Sequence, residues 1–408
     1  MARILFLTQV LPYPLDSGAK IRAYYVLKRL AQNHQVTLVS FTRGDNAPGH
    51  VAALESLGVA VHTVPMTRSW AKTTWAALKA GLTGQPVVIA RDEVGEMHAL
   101  LRRVVGAQSF DAVHADQTSM AQYAIFVRSL LQGTPQAEKT RLLLDAHNAL
   151  WRIPSRLAEH EGNPVKRLAL RREARALEAY EKGLLQRFDE VVFVADCDRA
   201  ALGAVRDGER FPVIPICVDP DGSPMVQPCP EQTAITHLGT MFWPPNVEGV
   251  LWYASAVFPQ VVAAAPDATL VIIGKNPPAE VAAVAASDPR IQVTGYVADP
   301  AGYLSETAAF IVPLRAAGGM RVKILDAWCW GLPVVTTSIG AEGIDVQHGV
   351  NGLLADTPDA LAQATLSLLT DGELRHRLRE NGRQTVRNRY NWRTVYQEWD
   401  RVYERLTR

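Results

Sequence analysis

The sequence predicts an α/β fold made of two doubly wound, Rossmann-like domains that face each other across a cleft. Short runs rich in β-branched residues alternate with amphipathic helical patterns along nearly the whole chain. This alternation is typical of parallel sheets whose faces are covered by helices. The chain has 408 residues, a length that suits two domains of about 200 residues each.

The first half of the chain carries six strand-like runs separated by helical patterns. In the first helical pattern Ile21, Tyr24, Leu27 and Ala31 recur on one face, as expected for a helix packed on a sheet. The predicted strands are Ile4–Leu7, Val36–Phe41, Val59–Val64, Ala112–His114, Leu142–Asp145 and Val191–Val194. This order predicts an N-terminal domain over residues 1–205.

The second half repeats the same alternation. Its predicted strands are Ile235–Leu238, Leu270–Ile273, Ile291–Val293, Phe310–Val312, Val334–Thr336 and Gly352–Leu354. Helices are expected at Asn246–Ala263, Val322–Trp330 and Asp359–Thr370. The segment between the halves is rich in Pro, Gly and Asp and has no periodicity, which predicts a linker over 206–233 and a second domain over 234–388.

Composition argues against several classes of protein. The formal net charge is +1 and no base-reading motif is present, so nucleic acid is not an expected partner. The four cysteines have neither Cys-x-x-Cys nor metal-ligand spacing, which is typical of packing residues in a reducing compartment. The sequence shows no secretion signal and no run of about 20 apolar residues. It therefore predicts a cytoplasmic protein, with a peripheral position at the inner membrane face left open.

Two segments combine an apolar stripe with basic residues. They are Trp70–Leu82 and Lys166–Arg187. Basic amphipathic helices of this kind can lie in a membrane interface. A solvated helix packed on its own domain explains the pattern equally well, so both interpretations stay open at this point.

The most informative motif follows the predicted strand Phe310–Val312. Two glycines, Gly318 and Gly319, precede a helix that carries Arg321 and Lys323 at its start. Glycines let the backbone approach a ligand closely, and a helix N-terminus attracts anions. Cations at that end are unfavourable by about 0.3–1 kcal/mol, so an anionic ligand would relieve them. An amphipathic helix with two solvated bases is the alternative interpretation.

The run from Gly318 to Val335, which ends in Gly-Leu-Pro-Val-Val, resembles retaining glycosyltransferases of family 4, glycosyl transferases group 1, which have the GT-B fold. The sequence is most similar in kind to the exopolysaccharide-type sugar transferases of this family. The resemblance implies that Asp326 binds the ribose hydroxyls of a nucleotide-diphosphate sugar and that Arg321 and Lys323 bind its diphosphate. The one Asp-x-Asp directly after a predicted strand, Asp196–Asp198, is typical of the start of a helix rather than of a metal site, which fits a site without a metal ion.

Two positions depart from the family pattern. The first glutamate of the family motif falls on Gly318, so backbone groups of Gly318, Gly319 and Met320 are expected to contact the donor instead. The Arg and Lys that usually follow the first strand of the second domain are absent from Leu238–Asn246. This segment itself looks like one branch of the family, and its Gly239 is expected in a strand-end turn beside the donor.

Polar residues after strands of the first domain complete the predicted site. The loop after the first strand contains Gly18, which the family places against the donor phosphate. The resemblance also implies that His147 lies beside the transferred sugar and that Asp116 and Asn148 line the acceptor side. A lone histidine is more often structural, but ligands of parallel sheets bind at the carboxyl ends of strands, and this position favours function.

These residues together predict a retaining, hexosyltransferase-type enzyme. It moves a sugar from a nucleotide-diphosphate sugar to a glycan or lipid-linked acceptor, without a metal or other cofactor and without a protein nucleophile. His147, Arg321 and Lys323 are the expected catalytic groups. By resemblance, residues 389–408 form an aromatic-rich helix that crosses back and packs on the first domain. Two alternatives stay open: a nucleotide-sugar epimerase on the same fold, and a non-catalytic partner subunit, which Gly318 motivates.

Overall fold

The computed structural model describes residues 1–43, 47–66, 70–204, 210–229 and 232–408. The chain divides into two compact units. The first contains Met1–Cys217, Gly318–Met320 and Trp392–Arg408, and the second contains Val218–Ala317 and Arg321–Asn391. The division after Cys217 falls inside the segment predicted as a linker, and the chain re-enters the first unit briefly at the glycine loop.

The first unit is built on a six-stranded parallel sheet. Its strands are β1 (Arg3–Thr8), β2 (Gln35–Thr42), β3 (Ala60–Pro65), β4 (Ala112–Asp116), β5 (Arg141–Ala146) and β6 (Glu190–Phe193). Their order in the sheet is β3-β2-β1-β4-β5-β6. Leu5 pairs with Thr37 on one side and with Val113 on the other. The reversal of strand order beside β1 is the topological switch of a doubly wound sheet.

Helices cover this sheet, and their apolar faces form its core. They are α1 (Gly18–Leu30), α2 (Ala47–Glu55), α3 (Trp70–Thr83), α4 (Val87–Arg91), α5 (Gly95–Ala107), α6 (Ala121–Leu131), α7 (Arg152–His160), α8 (Pro164–Leu184) and α9 (Asp196–Ala201). In α1, Ile21, Val26, Leu27 and Leu30 are buried, because apolar residues three and four positions apart share one face.

The second unit repeats the design with another six-stranded parallel sheet. Its strands are β7 (Ala234–Leu238), β8 (Thr269–Ile273), β9 (Ile291–Gly295), β10 (Thr307–Val312), β11 (Val334–Thr336) and β12 (Leu353–Leu354), in the order β12-β11-β10-β7-β8-β9. Phe310 pairs with Val334 and with Thr236. Two doubly wound parallel sheets confirm the predicted α/β class.

The helices of the second unit include one long apolar example. They are α10 (Pro244–Trp252), α11 (Phe258–Ala264), α12 (Ala279–Ser287), α13 (Ala301–Ser305), α14 (Val322–Cys329), α15 (Ser338–Ala341), α16 (Pro358–Thr370) and α17 (Gly372–Arg389). A π-helical turn joins α10 to α11, and the combined helix Pro244–Ala264 is long and apolar enough to cross a membrane by length and composition. Its Val250, Val257 and Phe258 lie in the core of the second sheet, which accounts for its apolar character.

The C-terminal segment differs from its prediction as one continuous helix. It forms two short helices, α18 (Trp392–Val395) and α19 (Glu398–Leu406). Between them, Gln397 N–H donates to Thr394 and Trp399 N–H donates to Tyr396, three residues back instead of four. This tighter turn buries Tyr396 and Trp399 completely. The prediction that the aromatics serve packing is confirmed, since they fill the core of the first unit.

Candidate functional site

In the first unit, neighbouring strands bring a histidine and two carboxylates together. Asp116 ends β4 and pairs in register with Asp145 of β5, and His147 follows β5 directly. Nε2 of His147 lies 2.9 Å from Oδ1 of Asp116 and 3.5 Å from Oδ2 of Asp145. Burial alone would lower the pKa of His147, but the negative charges of both aspartates and the bonds to them raise it to about 9. The imidazole is therefore protonated at neutral pH.

The two carboxylates have different partners. Asp145 is fully buried and forms a bidentate pair with Arg22 of α1, at 2.6 and 2.7 Å. Although burial opposes ionisation, the Arg22 guanidinium and His147 hold the pKa of Asp145 well below its usual range. Asp116 is left to pair with His147. Because Arg22 neutralises Asp145, the imidazolium of His147 and the carboxylate of Asp116 are the working pair of this cluster.

Buried carboxylates fix the loop that carries His147 and Asn148. Asp198 of α9 accepts a hydrogen bond from Ala149 N–H at 3.0 Å. Glu181 of α8 accepts from the N–H groups of Leu150 and Trp151, at 2.9 and 3.0 Å. These bonds satisfy N–H groups just before α7, where an intrahelical partner does not exist. The loop after β5 is therefore held by side chains from two different helices.

The glycine loop of residues 318–320, which belongs to the first unit, lies against that same loop. Gly319 has φ +74°, and a Cβ atom there would lie 2.6 Å from the carbonyl oxygen of His147 and 2.7 Å from Cβ of Asn148. A Cβ atom at Gly318 would lie 3.1 Å from Ile153 and 3.3 Å from the carbonyl oxygen of Ala149. The structure thus brings together two segments that the sequence places about 170 residues apart, and only glycine fits at position 319.

The remaining first-unit candidates lie at the same edge of the sheet. Gly18 is the first residue of α1, in the connection that follows β1. Met320 is buried, and its Sδ accepts from Ile216 N–H. Gln117, next to Asp116, has φ 75°. A non-glycine residue in the left-handed region is unusual, and such strain is concentrated at functional sites.

In the second unit, two uncharged side chains, Asn246 and His237, contact the ammonium group of Lys323. Nζ donates to Oδ1 of Asn246 at 2.9 Å and lies 3.4 Å from Nε2 of His237. His237 is fully buried, and its Nδ1–H donates to the carbonyl oxygen of Ile311 at 3.1 Å. Burial and the charge of Lys323 hold the pKa of His237 well below its usual range. Nε2 of the neutral ring is therefore a lone-pair acceptor directed at Lys323.

Gly239 leaves room for that ammonium group. It follows β7, as predicted, and a Cβ atom there would lie 2.5 Å from Nζ of Lys323 and 2.8 Å from Nδ2 of Asn246. A side chain at this position would displace the lysine. Glycine at position 239 is therefore required for Nζ of Lys323 to lie against the backbone at the end of β7.

Arg321 and Asp326 complete the charged group around α14. Arg321 immediately precedes the helix and is 3% exposed. Burial and the charge of Arg321 lower the pKa of Lys323 to about 7, while Asp326 opposes that shift. Burial likewise raises the pKa of Asp326 to about 7, although the positive charge of Lys323 lowers it. The carboxyl of Asp326 accepts no hydrogen bond from any residue that the structure describes.

Several residues of these groups were not found from the sequence. They are Arg22, Glu181, Asp198, His237 and Asn246. Arg22, Glu181 and His237 lie inside ordinary helical or strand patterns. Asp198 and Asn246 lie close after predicted strands, and all five acquire their roles through partners far along the chain. A usable signal was His237, a titratable residue inside the predicted strand Ile235–Leu238.

A metal-capable cluster occurs among the described residues, at His114, Asp116 and Asp145. The carboxylates of that cluster already face the guanidinium of Arg22 and the imidazolium of His147. Bringing a divalent cation there would require displacing one of these positive charges. The donor set therefore fits a charge-balanced hydrogen-bond network better than a metal site.

The chain is similar in sequence to known glycosyltransferases. Residues 232–371 match the model of the family described as Glycosyl transferases group 1. The chain is 24% identical over 375 residues to an uncharacterized 44.6 kDa protein in the cps region of Klebsiella pneumoniae, covering 87% of this chain and 88% of that one. It is 26% identical over 118 residues to the capsular polysaccharide biosynthesis glycosyltransferase CapM of Staphylococcus aureus, which covers 28% of this chain and 31% of CapM.

Solved structures show the same fold over the full length. The crystal structure of Anabaena HepE in complex with UDP and glucose matches with a TM-score of 0.69 and 16% identity, covering 99% of this chain and 100% of HepE. A second HepE structure contains UDP-glucose and matches with a TM-score of 0.68. Residues 232–371 thus match the Glycosyl transferases group 1 model, within a chain that has the fold of GT-B glycosyltransferase structures.

Proposed function

We propose that this protein is a glycosyltransferase that uses a nucleotide-diphosphate sugar as donor. The observation that carries the proposal is the environment of Lys323 in the group 1 domain. Its ammonium is held by the neutral acceptors Asn246 and His237, and its pKa is lowered to about 7. A buried cation that lacks a bound counter-charge favours an anionic ligand, because the ligand supplies the missing charge.

The other residues around α14 fit the rest of a nucleoside diphosphate. Arg321 adds a second, always charged group for the diphosphate. Asp326 carries carboxyl oxygens that accept no hydrogen bond from the described residues, and a ribose offers two adjacent hydroxyl donors for them. Because Gly239 has no side chain, Nζ of Lys323 can lie against the backbone at the end of β7. Fixed cations also stabilise the charge that accumulates on the departing diphosphate.

We assign contacts with the sugar and the acceptor to the first unit. In the imidazolium of His147, Nε2–H donates a hydrogen bond to Asp116, and Nδ1–H has no hydrogen-bond partner among the described residues. That N–H can donate to a sugar hydroxyl. We place the acceptor beside Asp116 and Asn148, and a backbone contact at Gly318–Met320 replaces the missing family glutamate. Gly18 serves the donor phosphate.

The proposed reaction proceeds with retention of anomeric configuration and without a metal. The bond from the anomeric carbon to the diphosphate breaks as the acceptor oxygen forms its own bond to that carbon. The departing phosphate oxygen takes the acceptor proton, so no protein nucleophile is needed. Arg321 and Lys323 supply the positive charge that a metal ion provides in other transferases.

For the donor we propose a UDP-hexose, because HepE was solved with UDP-glucose. For the acceptor we propose a glycan or lipid-linked saccharide of a cell-surface polysaccharide. The names of CapM and of the cps-region protein support this assignment. We further propose that the enzyme works in the cytoplasm.

A thermal-shift screen with UDP, GDP, ADP, TDP and CMP, each with and without EDTA, tests the donor assignment. A ligand at 100 times its dissociation constant adds about 2.7 kcal/mol to the free energy of unfolding. One nucleoside diphosphate should shift the melting temperature equally in EDTA. The product made from the corresponding nucleotide sugar is then analysed by NMR. Transfer to an acceptor with the donor's anomeric configuration supports the proposal. Release of a free epimerised sugar would show instead that the protein is an epimerase.

A non-catalytic partner subunit is the second candidate, and position 318 favours it. A Cβ atom at Gly318 would lie 3.1 Å from Ile153, so the family's glutamate does not fit this loop without movement. Binding of a nucleotide sugar with neither transfer nor hydrolysis, for every acceptor extract tried, would support this candidate. Turnover by the purified chain alone would rule it out.

A further inference from the structure

Exposed apolar side chains are concentrated on two helices of the first unit. On α3, Trp75 is 68% exposed, Leu78 57% and Leu82 84%, and on α8 Val165 is 75% and Leu168 70% exposed. Large exposed hydrophobic side chains elsewhere among the described residues are scattered singly. Clustering of this kind on a protein surface marks a site of interaction.

The two helices are tied together at this place. Arg172 of α8, one turn beyond Leu168, donates to the carbonyl oxygens of Ala80 and Gln85, on either side of Leu82. The carboxylate of Glu173 accepts from the N–H groups at the start of α4. The exposed residues of α3 and the first turns of α8 therefore form one surface.

Helix α3 buries small side chains and exposes large apolar ones, whereas a helix packed on a soluble domain does the opposite. Its buried face carries the small residues Ala76 and Ala80, at 3% and 0% exposure. Its large residues Trp75, Leu78 and Leu82, spaced three and four apart, face outward. A helix that served only its own core would bury the large side chains.

Basic side chains flank these apolar residues. Lys166, Arg167, Arg171 and Arg175 of α8 form no ion pair with any residue in the described parts of the chain. The one acidic residue among Pro164–Arg175 is Glu173, and its carboxylate is engaged by backbone N–H groups. The surface therefore combines exposed apolar side chains with positive charges that lack protein counter-ions.

We propose that this apolar–basic surface, made of Trp75, Leu78, Leu82, Val165, Leu168 and the four basic residues of α8, docks on an anionic lipid membrane. Apolar side chains with tryptophan enter the headgroup region, while Lys and Arg pair with lipid phosphates. A second copy of the chain fits less well, because an isologous contact would place the same unpaired positive charges against each other. The inference is independent of the donor assignment.

The direct test is co-sedimentation of the full-length protein with phosphatidylcholine vesicles, with and without added phosphatidylglycerol. The wild-type protein should bind only the phosphatidylglycerol vesicles, and high salt should weaken the binding. Leu82→Ser with Leu168→Ser should abolish binding. Each of Lys166→Ser and Arg171→Ser should weaken it about fivefold, the effect of one basic residue near an anionic surface.

Matched controls are Tyr296→Ser and Arg377→Ser, which remove an exposed aromatic and an exposed basic side chain of the second unit. They should bind vesicles as the wild type does. An unchanged melting temperature and an unchanged circular dichroism spectrum would show that the surface variants are folded. Equal vesicle binding by surface variants and controls would overturn the proposal. The proposal would also be overturned if the wild-type protein did not bind the vesicles but self-associated instead, and if Leu82→Ser and Leu168→Ser abolished that self-association.

Discussion

Nζ of Lys323 lies 2.9 Å from Oδ1 of Asn246, two residues that the sequence separates by 77 positions. Asn246 belongs to α10 and Lys323 to α14, so the bond joins two helices of the second unit. With His237 on the other side, it holds the ammonium group of Lys323 by neutral acceptors alone. The lysine is thus positioned by neutral acceptors, and a bound anion would favour its protonated form.

Replacing Asn246 should therefore weaken nucleotide binding although the residue carries no charge. A hydrogen bond to a charged group contributes about 1.5–3 kcal/mol, so Asn246→Ala should raise the dissociation constant for UDP about tenfold or more. Isothermal titration calorimetry measures the constant, and Asn388→Ala, at an exposed position of α17, is the control. Equal affinities in the two variants would show that Asn246 does not position Lys323.

The affinity for a nucleoside diphosphate should depend on pH through Lys323. Its pKa in the unliganded protein is lowered to about 7, and a bound diphosphate favours the protonated form. Above pH 7 binding must therefore take up a proton, and affinity should fall by up to about tenfold per pH unit. Calorimetry in buffers of different ionisation enthalpy measures the uptake. Lys323→Arg stays charged and should lose the dependence, whereas persistence of the slope in that variant would assign it to another group.

His147 should make the stability of the protein depend on pH. Its pKa is about 9 in the folded protein and about 6.5 in an unfolded chain. The folded state binds more protons between these values. The stabilisation is thus complete below about pH 6.5 and is lost as the pH rises through about 9, in total about 3 kcal/mol.

Urea unfolding of the wild type and of His147→Gln tests this dependence. The difference in unfolding free energy between them should shrink between about pH 6 and about pH 9. His62→Gln, which removes an exposed histidine of β3, is the control. In His147→Gln, transfer should also fall about a hundredfold with UDP binding unchanged, because a charged hydrogen bond to the sugar is lost. A pH-independent difference would contradict the ion pair with Asp116.

Gly319→Ala should disturb the loop that carries His147. The added Cβ atom would lie 2.6 Å from the carbonyl oxygen of His147, at a φ of +74°. Gly349→Ala is the matched control, because Gly349 has the same φ of +74° and nothing within 4 Å. Both variants pay the backbone cost of about 1 kcal/mol. Only Gly319→Ala should also lose transfer activity, and retention of full activity there would refute the contact.

Much of the fold follows from local pattern in the sequence. Short β-rich runs between helical patterns predicted the strand bounds within one to three residues, for example Val36–Phe41 for the observed Gln35–Thr42. The glycine loop and the cations Arg321 and Lys323 could be predicted because they are contiguous and break an otherwise apolar pattern. Such features carry their chemical signal within a few residues.

The parts that the sequence did not predict depend on long-range contacts. The partner of Asp145 is Arg22, 123 positions away, and neither residue is unusual in its own segment. His237 becomes an acceptor for Lys323 only because the strand β10 supplies a carbonyl oxygen to its Nδ1. The break between α18 and α19 likewise results from burying Tyr396, a tertiary requirement that helical periodicity does not contain.

The most direct test of the central claim is titration of UDP into the wild type, Lys323→Ala and Arg321→Ala by calorimetry in the presence of EDTA. The account predicts that the wild type binds with an affinity that EDTA does not change, and that each variant loses tenfold or more, about 1.4 kcal/mol at least. Unchanged UDP affinity in both variants, or wild-type binding that requires a divalent cation, would contradict the proposed donor site.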